Sequence, residues 1–203
     1  GALRTYDGKR LLAYSTFGQI GFILVGIGWG TPLALVAAIV YAFNHALIKA
    51  ALLMLTGVVA SRTMTKTARL TKLVGAGHKL TATGGLYLLG GRALAGVRPM
   101  NGFISKLTLV RGGIEAGSWL PLGLAVGAGI LTMLYMFRTW QLIFQQAPPD
   151  DLELKPEGDS PLAPGILIAA SVLLGIYAVP LIDVAQRTVE QLGDPLIYIR
   201  AVI

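Results

Sequence analysis

The sequence contains no cysteine, which excludes a disulfide framework and a thiolate metal site. Charge is scarce: Asp, Glu, Lys and Arg make up 13% of 203 residues, about half the share of an ordinary soluble domain. Acids are scarcest of all, with none between Asp7 and Glu115. No initiator methionine and no signal peptide precede the opening stretch GALRTYDGKR. The chain enters an apolar run almost at once and reads as the middle of a longer protein. No short internal repeat is visible. No motif for a nucleotide, a flavin or a metal is present, so no cofactor is expected.

Apolar residues make up 54% of the chain. Runs of about 20 recur, long enough to cross ~30 Å of hydrocarbon as helix, and they lack the in-out alternation of a closed barrel. The expectation is an all-α membrane protein, a polytopic helical bundle of about five transmembrane spans with one discontinuous helix. The spans run from Leu11 to Trp29, Pro32 to Ala60, Leu80 to Arg111 (interrupted by GVRPMNG), Trp119 to Phe144, and Leu162 to Val184. Pro32 suits a first helical turn.

Lysine and arginine set the orientation. Lys9 and Arg10 precede the first span. The loop after the second carries Arg62, Lys66, Arg69, Lys72 and Lys79 with no acid, while the GWGTP turn between those two spans is uncharged. The start of the first span and the end of the second therefore face the cytoplasm. Trp29 and Trp119 then fall at the outer interface and Trp140 at the inner one. The acidic loop after the fourth span also lands inside, since Asp and Glu contribute little to this rule. The net charge of +7 reflects these flanking residues, and nucleic acid is not an expected partner.

The stretch YAFNHALIKAALLML holds the residues hardest to explain. A lysine at the centre of a bilayer costs ~2.5–3.5 kcal/mol on insertion scales. Tyr41, His45 and Lys49 recur at i, i+4 and i+8, one stripe on one helix. The bland alternatives are that Lys49 snorkels to the interface and that His45 is an ordinary core histidine. One turn apart, the two make a candidate proton relay. Lys106 lies just past the break in the third span, and broken helices at membrane depth mark ion sites in transporters. Its bland alternative is a lysine in a surface loop. Neither lysine has a carboxylate in the spans that hold it, so each either changes charge readily or finds its acid elsewhere. Arg92 sits mid-span without a functional account, and Asp183 reads as interfacial.

The blocks DGKRLLAYSTFGQIGF, FNHALIKAALLMLTG and NGFISK resemble the antiporter-like membrane subunits shared by respiratory complex I and the Mrp cation/proton antiporters. The stretches LTMLYMFRTWQLIFQQ and GIYAVPLIDVAQRTVEQLGDPLIYIRAVI resemble the C-terminal end of the D-type Mrp subunit more than the complex I subunits. The resemblance implies a long helical subunit of two inverted repeats with a polar Lys, His and Glu axis at mid-membrane. On it the chain divides into an antiporter-like core at 1–147, an acidic Pro-rich loop at 148–161, and a last transmembrane helix with an amphipathic tail at 162–203. Lys49 and His45 match axis residues, Lys106 matches the terminal lysine of the broken helix, and Lys9 matches a lysine before LLAYS. The earlier lysine and its glutamate partner belong to a first half that this chain lacks. The sequence departs from the family pattern at Arg92 and Arg98, and it has no acid near Val179.

Three readings follow. The first is the C-terminal portion of a cation/proton antiporter subunit, a secondary transporter rather than an enzyme. Its protons pass along His45, Lys49 and Lys106, with Tyr41, Asn44 and Ser105 ordering water, in exchange for Na+ or K+. The second is a proton-translocating subunit of an NADH:quinone oxidoreductase. The third is a fragment that packs without transporting. The implied partners are the other subunits of a membrane complex and the lipid bilayer. The implied location is a bacterial inner (plasma) membrane, crossed several times.

Overall fold

The computed structural model describes residues 1–203 except 151, 156, 195, 197, 198 and 200–203. Part of the predicted loop and the end of the predicted tail lie outside these. The described residues form eight α-helices and no β-strand: α1 (Gly8–Trp29), α2 (Pro32–Arg62), α3 (Leu70–Leu73), α4 (Thr81–Ala95), α5 (Asn101–Glu115), α6 (Trp119–Trp140), α7 (Leu162–Ile176) and α8 (Val179–Gly193). Three are long and apolar enough to cross a membrane, four if the bent α7–α8 pair counts as one span. The predicted helical membrane bundle is what the chain forms.

Local sequence sets the helix ends. Asp7 Oδ1 accepts from the Arg10 amide at 2.9 Å, an N-cap for α1. Thr31 Oγ1 accepts from Ala34 N at 3.2 Å ahead of Pro32, starting α2. Its 31 residues make α2 about 46 Å long at 1.5 Å per residue. It forms the centre of the bundle, packed against α1, α4, α5, α7 and α8. An apolar core of Leu11, Leu12, Leu52, Leu55, Val59, Tyr87 and their neighbours fills the end of α2 that carries the basic loop.

The third predicted span is broken where the sequence places the break. Helix α4 stops at Gly96, in the left-handed region at φ +83°. Its amide and that of Val97 close the end on Ala93 O and Arg92 O, a Schellman arrangement. Helix α5 restarts at Asn101, after Pro99. A side chain at Gly102 would run into the Ala93 carbonyl, so the two half-helices cross backbone to backbone.

The last predicted span, Leu162 to Val184, is not one helix. It breaks after Ile176, and α8 leaves α7 at 78°. Pro180, in the first turn of α8, has no amide to donate to the Ile176 carbonyl four residues back and its ring crowds that carbonyl, so α7 cannot run on through it. Beyond the bend α8 is amphipathic: Ala185 and Val189 pack on Val36 and Val40 of α2, while Asp183, Arg187 and Glu190 stay exposed. The amphipathic tail therefore begins at Val179, inside the predicted span. Helix α7 closes on the other break, since a side chain at Gly175 would meet the Pro99 carbonyl.

The acidic loop folds onto the basic end of α2. Lys155 N donates to Arg62 O at 2.7 Å and Asp159 N to Ser61 Oγ at 2.9 Å. Both loops thus sit at one end of the bundle, as the charge pattern predicts. Trp140 is at this end, donating to Gly84 O at 3.0 Å. Trp29 packs near Gly113 at the other.

Candidate functional site

Lys49 does not snorkel. Its side chain is only 7% exposed, and the amine turns sideways into α1, donating to Leu12 O at 3.0 Å and Ser15 Oγ at 2.8 Å. Ser15 Oγ also accepts from Tyr135 of α6 at 2.7 Å. Each of these partners is neutral, and α1, α2, α4, α6 and α7 contain no Asp or Glu. A buried charge held only by neutral groups is expensive, which is difficult to account for by packing alone.

One and two turns along α2, the stripe continues. Tyr41 donates to Gln19 Oε1 at 2.6 Å, and Gln19 Nε2 donates to Thr132 Oγ1 at 3.4 Å. His45 borders a cavity of about 10 Å³ with Gln19, Tyr41, Asn44 and Ser105, room for roughly one water. Its Nδ1 is buried without a hydrogen-bond partner among the described residues. Asn44 reaches across to α5, donating to Ser105 Oγ at 2.7 Å and accepting from Asn101 Nδ2 at 2.9 Å. Ser171 of α7 donates to Asn101 Oδ1 at 2.6 Å. This buried network fixes the start of α5 against α2 and α7.

Lys106 follows Ser105 but points elsewhere. Its amine donates to Ala95 O at 2.7 Å, satisfying a carbonyl at the end of α4, where the helix dipole favours a cation. It lies 5.6 Å from the centre of the Phe22 ring, within cation–π range. Phe22 in turn packs on Tyr41, with ring centres 5.4 Å apart. A largely apolar cavity of about 300 Å³ opens beside the amine, between α5 and α6.

The structure thus gathers Tyr41, Asn44, His45, Lys49, Ser105 and Lys106 around one buried band. Lys9 is not in it: it is exposed on the first turn of α1. The band also contains residues that sequence reasoning missed, namely Ser15, Gln19, Asn101, Thr132, Tyr135 and Ser171. A signal existed for some. Thr132, Tyr135 and Thr139 recur at i, i+3 and i+7 in an otherwise apolar helix, and Ser15 and Gln19 at i and i+4. Arg92 and Arg98 stay at the exposed rim of the break. Arg92 donates to Arg98 O at 3.1 Å, and Arg98 covers the Phe103 ring at 4.6 Å. Both side chains lie on the outside of the break.

Residues 1–132 match the family described as NADH:quinone oxidoreductase/Mrp antiporter, TM. The chain belongs to this family. It is 29% identical, over its whole length, to the D subunit of the Na(+)/H(+) antiporter of Alkalihalophilus pseudofirmus. It is 32% identical over 81% of its length to the N subunit of the NADH-quinone oxidoreductase of Desulforudis audaxviator. Its fold superimposes over its whole length on a chain of the Mrp complex from Dietzia sp. DQ12-45-1b, with TM-score 0.89 at 24% identity. The chain spans 41%, 32% and 46% of these three proteins, less than half of each.

Proposed function

We propose that this chain forms the C-terminal membrane portion of a cation/proton antiporter subunit. Protons pass along His45, Lys49 and Lys106 while Na+ or K+ moves the other way. The observation that carries the reading is Lys49: a buried amine held by a carbonyl and a hydroxyl, with no acid in the surrounding spans. Such an amine can be loaded or unloaded without breaking an ion pair. Asn44, Ser105 and Tyr41 supply neutral donors and acceptors between the two lysines, and the small cavity at His45 has room for a bridging water. The chemistry is proton transfer between amines, hydroxyls and water, with no cofactor. The other subunits of a membrane complex and the bilayer are the partners, and a bacterial plasma membrane is the location.

A second reading has its own support. The chain resembles a subunit of an NADH-quinone oxidoreductase nearly as well as an antiporter subunit, so the same axis could serve redox-driven pumping. Everted vesicles carrying the full-length protein with its complete set of subunits separate the two. After a pH gradient is imposed, sodium or potassium collapses it in the antiporter, and Lys106→Ala abolishes the response. Acidification driven by NADH oxidation, without a cation response, selects the oxidoreductase. Silence in both selects the fragment that packs without transporting.

A further inference from the structure

We propose that Tyr135 is the gate through which protons from the basic face of the bundle reach Lys49, with Ser15 as the connecting hydroxyl. The proposal rests on the reading above that Lys49 carries protons. At the basic end lies a cavity of about 100 Å³, large enough for several waters. Thr5 and Tyr6 before α1, Thr71 of α3, and Tyr135, Arg138 and Thr139 of α6 line it. Tyr135 is 7% exposed and is part of the cavity wall, and its hydroxyl donates to Ser15 Oγ at 2.7 Å. Ser15 Oγ is 2.8 Å from Lys49 Nζ. Two consecutive hydrogen bonds therefore join the cavity wall to the buried amine. Leu12, Leu52, Leu55 and Val59, also toward this end, are fully buried in the apolar core and offer a proton no hydrogen-bonding group.

The chemistry balances without charging either hydroxyl. Both oxygens donate and accept. A hydronium in the cavity gives its proton to Tyr135 Oη as the tyrosine's own hydrogen passes to Ser15 Oγ. The serine's hydrogen passes to neutral Lys49 Nζ. Three bonds to hydrogen form and three break, the water is left neutral, and Lys49 ends as the ammonium.

The test uses everted vesicles, whose outer surface is the Lys/Arg-rich face, carrying the full-length protein in its complete complex. Tyr135→Phe keeps the ring and removes the hydroxyl, and at least a tenfold loss of cation-dependent proton flux is expected. Wild-type flux in Tyr135→Phe beside an inactive Lys49→Ala overturns the gate and leaves the relay standing. Wild-type flux in Lys49→Ala overturns both. A second readout does not depend on Tyr135→Phe folding. In Thr71→Cys, a membrane-impermeant methanethiosulfonate added outside should block flux relative to the same unlabelled variant, reversibly with a thiol reductant. Complete labelling with unchanged flux contradicts the proposal.

Discussion

Lys49, buried, and Lys106, half-buried, are the same side chain without an acid beside it, and the bundle accommodates them in different ways. Lys49 is enclosed between three helices and held by a hydroxyl that a tyrosine also holds. Lys106 sits at a helix end, on a carbonyl that the break leaves over, beside an aromatic face and an open apolar cavity. The first environment depends on side chains from distant parts of the sequence. The second depends on a local device, a helix interrupted by glycine and proline, which leaves a free carbonyl for a lysine eleven residues on. An ionisable amine can thus be stationed in a membrane bundle mainly by neighbours from distant helices or mainly by an interrupted backbone.

The backbone device breaks most readily. Gly102→Val drives a branched side chain into the Ala93 carbonyl. It should destabilise the protein by about 3 kcal/mol or more, read as loss of folded protein or a lower melting temperature in detergent. Asn44→Ala leaves Asn101 Nδ2 without its acceptor and removes a donor from Ser105 Oγ in the buried network. A loss of about 1–3 kcal/mol in the same assay is expected. Lys106→Met removes one charge-assisted bond to Ala95 O at about 1–2 kcal/mol, with the fold retained and cation-driven proton flux lost. Arg92→Ala removes a single exposed bond to Arg98 O and should change stability by no more than about 0.5 kcal/mol, with flux near wild type. A large effect of Arg92→Ala would mean that the break relies on side chains as well as on its backbone.

The sequence is most legible where the cause is local. The break at GVRPMNG follows from glycine and proline chemistry and stands where expected. The stripe of Tyr41, His45 and Lys49 follows from helical spacing and faces the interior. Pro180 carries an equally local signal, but the apolar run around it favours one continuous span and hides the bend at Tyr177. The partners of Ser15, Tyr135 and Ser171 are not legible, because they lie 34 to 120 residues away. A lone hydroxyl in an apolar helix does not announce which helix it meets. Lys9 shows the opposite case: the resemblance singles it out, and the structure leaves it exposed on the first turn of α1.

The central claim is that Lys49 carries protons rather than only packing. Lys49→Met has nearly the same length and no ionisable group, so it tests the charge with the shape kept. The measurement is cation-dependent proton flux in everted vesicles carrying equal amounts of folded, assembled complex. If Lys49 is on the path, Lys49→Met abolishes the flux while the complex stays intact. Wild-type flux in that variant would contradict the claim.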